Sequence, residues 1–241
     1  MADFRIWQAA DSALVVEFGS AIDRKVSDRV LALAETVKES GLPGVTEVVA
    51  TFRSLSVIYD SLLTTGGELE RAVAALIKAG RASSHVTRLW DIPACYDPGF
   101  APDIEEVARS VGLSPAEVAA LHADPQYHVY MIGFVPGYPY MGDLPAQLRL
   151  PRRSDPRTRV PAGSLAIATS MTAVYPYESP GGWHLIGASP VRFFDPESAG
   201  GALLSPGDAV KFRPVTAQEF ARIRLAIERN DYVPANTEIA T

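Results

Sequence analysis

The sequence predicts an α+β protein in two parts: a small α/β unit over residues 1–85 and a larger β-rich unit over residues 86–241. Three observations carry this reading. The first third alternates short apolar runs with two amphipathic stretches at helical spacing. After Pro93 the texture changes to short apolar runs separated by Gly-Pro loops. Residues 133–187 hold eight prolines, so no long helix fits there, yet Phe134, Tyr138, Tyr140, Val160, Ile167, Tyr175 and Trp183 supply enough bulk for a packed core.

Residues 13–18 (ALVVEF) read as a buried strand ended by Gly19. Asp23 can cap a helix through Val26, Val30, Leu33 and Val37, stopped by Gly41 and Pro43. Residues 45–51 and 55–59 are strand-like runs around Phe52 and Arg53. Residues 68–79 form a second amphipathic helix, with Leu69, Val73, Leu76 and Ile77 on one face and Gly80 at its end. Residues 86–92 complete a β-α-β-β-α-β order, the split arrangement of a ferredoxin-like sandwich. In the second part, Pro102 opens a short helix through Ile104, Val107 and Val111, closed by Gly112. Ser114-Pro115-Ala116-Glu117 is a capping box with proline at the first helical position, starting a helix that ends near His122. Strands are expected over 127–134, 165–168, 172–175, 183–186, 191–194 and 209–212, in a closed or nearly closed barrel. Residues 216–229 form a last helix with Phe220, Ile223 and Ile227 inward, and the tail after Asp231 reads as frayed.

The net charge of −6 argues against nucleic acid or an anionic membrane as the main partner. One cysteine, Cys95, excludes an intrachain disulfide and reads as a small buried hydrophobe. The first residues hold no apolar leader and no apolar run reaches membrane-span length, so a cytoplasmic protein is expected. No Gly-rich phosphate loop ends in Gly-Lys-Ser or Gly-Lys-Thr, and no GxGxxG follows a strand, so any ATP is expected to be bound by another chain. His85, His122, His128 and His184 lack ligand spacing, so no bound metal is expected; His122 is placed in a helix's last turn, where positive charge suits the dipole. Ser164 and Ser179 sit at turns without a nucleophile-elbow motif and read first as turn hydroxyls. Arg149, Arg152, Arg153, Arg157 and Arg159 crowd into one proline-rich stretch. They read either as a preorganised anion site, with Arg157 and Arg159 favoured, or as loop charges paired with Asp143 and Asp155.

Several long blocks then carry a resemblance: GFVPGYPYMGDLP (133–145), PRRSDPRTRVPAGS (151–164) and YPYESPGGW (175–183), with supporting stretches at 42–60, 96–122, 193–196 and 203–212. They resemble the KipI/PxpB family, the B subunits of bacterial 5-oxoprolinase, also described as the first subunit of allophanate hydrolase. The resemblance covers nearly the whole chain. It implies a cyclophilin-like barrel as the second domain. It further implies work with C-type (KipA/PxpC-like) and A-type (PxpA-like) subunits, which together open 5-oxoproline to glutamate at the expense of ATP. A KipI-like inhibitor of a sensor histidine kinase is the alternative. Where the family has Gln-Thr-Gly and Arg-Thr-Pro, this chain has Met171-Thr172-Ala173 and Ala188-Ser189-Pro190, replacing an amide and a guanidinium by apolar groups.

In a 5-oxoprolinase site, Arg157 or Arg159 is expected to hold the substrate carboxylate, with Thr172, Tyr175 and Ser179 near the scissile amide. Backbone N–H groups of Gly181 and Gly182 are expected to face an oxyanion. Gly163, Ser164 and Trp183 complete the expected substrate surface, and Phe134, Tyr138 and Tyr140 are the expected partner anchors.

Overall fold

The computed structural model describes residues 4–80, 86–198 and 200–239. His85 lies outside them. The chain divides into two compact units, Met1–Val86 and Thr87–Thr241.

The first unit holds β1 (Phe4–Ala10), β2 (Ala13–Phe18), α1 (Arg24–Ser40), β3 (Val45–Ala50), β4 (Ser54–Tyr59) and α2 (Gly66–Ala79). Its sheet is antiparallel in the order β1-β2-β4-β3. Alternation puts Leu14, Val16, Phe18, Leu55, Val57 and Tyr59 on one face, where they pack with Val30, Leu33, Val37, Leu69 and Val73 from the two helices. Asp23 accepts the Lys25 N–H at 2.9 Å and Gly41 ends α1 in the left-handed region. Thr65 and Glu68 form a reciprocal capping box that starts α2 two residues before the expected Glu68.

The fourth strand of this sheet is β1, not residues 86–92, so the order is ββαββα and the split ferredoxin-like order does not hold. The residues expected to supply that strand belong to β5 (Thr87–Ala94) of the second unit, where they lie between two other strands.

The second unit continues with α3 (Ile104–Val111), α4 (Pro115–Ala123), β6 (Gln126–Ile132), β7 (Pro139–Gly142), β8 (Arg157–Val160), β9 (Ser164–Ala168), β10 (Met171–Val174), β11 (Ser179–Gly181), β12 (His184–Ala188), β13 (Ala209–Pro214), α5 (Ala217–Glu228) and β14 (Asn236–Ile239). Eight strands form one sheet in the order β12-β9-β10-β7-β6-β13-β5-β14, with only β5 and β13 parallel. The sheet is not a closed barrel. A single bridge, in which Cys95 and Ala188 exchange backbone hydrogen bonds of 2.8 and 2.9 Å, links the end of β5 to β12. β9, β10 and β12 are buried along their whole length, which is why they are mainly apolar without a polar alternation, each carrying one buried polar residue, Ser164, Thr172 and His184.

Two further expectations change here. Residues 191–194 form no strand beyond an isolated Phe194–Ala202 bridge. The tail is not frayed throughout, because β14 adds to β5 from Asn236 to Ile239. The buried Asp208 accepts the Trp90 indole N–H at 3.0 Å and the Ser205 N–H at 2.9 Å, so the SPGD turn anchors β13 beside β5. Among the described residues, no helix is long and apolar enough to cross a membrane.

Candidate functional site

Residues 133–183 bring the aromatic and arginine residues together in the second unit. β8 and β11 form a two-stranded ribbon outside the large sheet, with Arg157 opposite Gly181 and Ser179 opposite Val160. Tyr175 lies between β10 and β11, and a Cβ on Gly181 would lie 2.2 Å from its hydroxyl, so glycine is required for the close approach. Tyr138 packs edge-on against Tyr175 at 5.1 Å and against Trp183 at 6.2 Å, and Tyr140 lies 6.1 Å from Trp183. Phe134 adds to the cluster 5.4 Å from Tyr138.

The members differ sharply in exposure. Tyr138, Tyr175 and Trp183 are buried, whereas Tyr140 is partly open and Phe134 is 60% exposed. Phe134 also holds φ +68°, the left-handed region that a residue with a bulky side chain seldom occupies. Burial raises the pKa of Tyr138, Tyr140 and Tyr175. All three are therefore neutral phenols at physiological pH, suited to donate hydrogen bonds and not to act as bases.

The arginines divide by partner. Arg157 donates from Nη2 to Asp103 Oδ1 at 2.5 Å. Arg153 donates from Nη1 to Glu106 at 3.1 Å and more loosely to Asp103 at 3.5 Å. Arg159 makes a two-armed pair with Glu178 on the surface, both arms 2.9 Å. Arg149 donates to the Leu144 carbonyl at 3.1 Å. The partners are thus Asp103, Glu106 and Glu178, not the neighbouring Asp143 and Asp155 of the alternative reading. Asp103 stands at the N-terminus of α3 but makes no capping bond with its side chain. It is 3% exposed, and its second oxygen accepts the Leu185 N–H at 2.7 Å. It thereby ties α3, β8 and β12 together.

Thr172 is fully buried, away from this surface. Its hydroxyl lies 3.1 Å from the Ala166 carbonyl, to which it donates, and 2.8 Å from His122 Nε2. Since the hydroxyl has one proton, Nε2 carries the imidazole proton and Nδ1 accepts from Tyr96 at 2.9 Å. Desolvation lowers the His122 pKa from 6.5 to about 3. His122 is therefore neutral core, and the expected helix-end cation is corrected.

Gly163 holds φ +82° and hydrogen-bonds Tyr175 O at 2.7 Å; its carbonyl accepts the Ser189 N–H. Ser164 is buried at the head of β9, and Ser179 Oγ is buried with no hydrogen-bond partner among the described residues. The Gly182 carbonyl accepts the Arg153 N–H at 2.8 Å. Met171 and Ala173 are buried in β10, so these departures from the resembled pattern fill the core. Cys95 is buried too. No group of three metal-ligating side chains occurs among the described residues.

The sequence carries no local signal for Asp103, whose partners Arg157 and Leu185 lie 54 and 82 residues away. It marks Arg152 only as one of the cluster.

The carboxyltransferase domain family, subdomains C and D, matches residues 4–204. The chain is 37% identical to the B subunit of 5-oxoprolinase from Bacillus subtilis over 90% of its own length and 95% of that protein. It is 35% identical to the Escherichia coli O157:H7 protein of the same name, over 87% and 95%. The chain belongs to the family of 5-oxoprolinase B subunits. The solved structure of TTHA0988 superposes with a TM-score of 0.77 at 36% identity, covering 86% of this chain and 41% of that one. The urea amidolyase of K. lactis superposes over 98% of this chain and 16% of that enzyme, with a TM-score of 0.80 at 19% identity, a likeness of fold alone. This chain thus shares a fold with a segment of a larger enzyme.

Proposed function

We propose that this chain is the B-type member of an ATP-dependent 5-oxoprolinase complex, which opens 5-oxoproline to glutamate and is inactive without its A-type and C-type partners. The similarity to 5-oxoprolinase B subunits along 95% of the Bacillus subtilis and Escherichia coli proteins carries the reading. A cyclophilin-like fold of the β-rich unit and a cytoplasmic location belong to the same proposal.

The site agrees with a share of the work. Tyr138, Tyr140 and Tyr175 are neutral, so they can donate to a lactam carbonyl or to the oxyanion formed when water adds to it. None can remove a proton from that water at neutral pH, so the general base must come from elsewhere. The sequence has neither a phosphate loop ending in Gly-Lys-Ser or Gly-Lys-Thr nor a GxGxxG after a strand, which supports the reading that a partner binds the ATP. Phe134 offers a partner an aromatic anchor held out in a strained conformation. The same anchor would serve the second reading, a KipI-like inhibitor seated on a sensor histidine kinase.

Co-purification of the native protein tests the assignment. Recovery of A-type and C-type subunits is expected; stable recovery of a sensor histidine kinase without them would replace it by the second reading.

A further inference from the structure

The geometry points to Arg152, and not to Arg157 or Arg159, as the residue that binds the carboxylate of a small monoanionic ligand against Trp183. The inference deepens the proposed function and rests on it for the identity of the ligand.

Arg152 is exposed, and it is the one member of the arginine cluster that has neither an ion pair nor a hydrogen bond among the described residues. Its guanidinium carbon lies 6.0 Å from the centre of the Trp183 ring. Two hydrogen bonds, one from a side chain and one between backbone groups, fix this register. The Pro151 carbonyl accepts from His184 Nε2 at 3.0 Å, and the Arg153 N–H donates to the Gly182 carbonyl at 2.8 Å. The residue between Pro151 and Arg153 is thereby placed beside the residue between Gly182 and His184, which is Trp183. A guanidinium at the outer edge of cation–π range over an indole keeps its planar fork and edge donors available, the geometry that takes up a carboxylate with two hydrogen bonds.

Charge agrees. The carboxylates of Asp103 and Glu106 balance Arg153 and Arg157, and Glu178 balances Arg159, which leaves Arg149 and Arg152 without a carboxylate partner among the described residues. Arg149 is tied to the Leu144 carbonyl, so Arg152 is the free guanidinium of the two, and its single charge suits a monoanion. Arg157 spends Nη2 on Asp103, holding β8 against α3, and its Nη1 is buried out of reach of solvent, while Arg159 has committed both arms of its fork to Glu178.

The test follows the Trp183 indole N–H signal of the full chain by NMR, assigned with Trp183→Phe, during titration with 5-oxoproline, benzoate and uncharged 2-pyrrolidone. Saturable shifts are expected with a carboxylate and none with 2-pyrrolidone. Arg152→Gln should raise the Kd by about tenfold or more, and Arg152→Lys by less, because it keeps the charge but loses the fork. Arg192→Gln, a surface variant in the same unit, should bind as wild type. If Arg152→Gln binds as wild type, if Arg159→Gln produces the loss in its place, or if wild type binds neither carboxylate, the inference falls. Arg152-dependent binding of benzoate without any binding of 5-oxoproline would uphold the subsite and remove 5-oxoproline as its ligand.

Discussion

Replacing His122 with Gln should flatten the acid dependence of stability in the second unit. His122 is wholly buried, bonded to Thr172 and Tyr96 and packed against Tyr127 and Phe212, and its pKa falls from 6.5 to about 3. A histidine whose folded pKa is depressed favours the neutral state in the fold. Its stabilising share is full above pH 6.5 and is lost as pH falls from 6.5 toward 3, because the unfolded chain binds the proton first. Between pH 7 and pH 5 that loss integrates to about 2 kcal/mol, near the limit of ~1.4 kcal/mol per pH unit for one proton. Gln keeps a donor for Thr172 and removes the titration. The assay is urea unfolding at pH 7 and pH 5, followed by tryptophan fluorescence in a Trp7→Phe background so that Trp90 and Trp183 report the second unit. Wild type should lose about 2 kcal/mol more than His122→Gln over this interval. Equal losses in the two proteins would refute a buried neutral imidazole.

Three further outcomes are expected. Asp103→Asn can offer an acceptor to Arg157 or to the Leu185 N–H but not fully to both, so urea unfolding should show a loss of about 2–4 kcal/mol; a change below about 0.5 kcal/mol would contradict its tie between α3, β8 and β12. Gly163→Ala combines φ +82° with a Cβ placed 2.5 Å from the Ser189 carbonyl oxygen and should cost at least about 2 kcal/mol in the same assay, an unchanged midpoint being the contrary result. Phe134→Gly relieves the left-handed backbone, so stability should stay within about 1 kcal/mol of wild type while co-purification with the C-type partner weakens; undiminished recovery would free Phe134 of a partner role.

The parts of the fold legible in the sequence were those with local signals. Asp23, Ser114 with Glu117, Gly41 and Gly112 mark helix ends because caps act within a few residues. β1 and β14 escaped because both lie at sheet edges and bury few side chains, so their stability comes from ladder hydrogen bonds that leave no apolar alternation. The arginine stretch was legible as a cluster, but its partners were not. Asp103 is 54 residues from Arg157, while the nearer Asp143 and Asp155 drew attention only by proximity along the chain. His122 carried a usable clue: Val118 lies four residues before it, one helical turn away on the same buried face. The side chain that closed the helix as a formal cation was in fact part of the core. Arg152 could not be singled out from its four neighbours, because its distinction is an unengaged guanidinium and a register with Trp183 that two hydrogen bonds between segments distant in sequence create.

The central claim, that this chain is the B-type member of a complex and has no activity of its own, meets its most direct test in reconstitution. Glutamate released from 5-oxoproline in the presence of ATP would be measured for this chain alone, for each pair of subunits and for the mixture with folded A-type and C-type partners. Turnover by the three-component mixture, with none from this chain alone, is the predicted result. Glutamate formed by the isolated chain, or none formed by the complete mixture, would contradict the account.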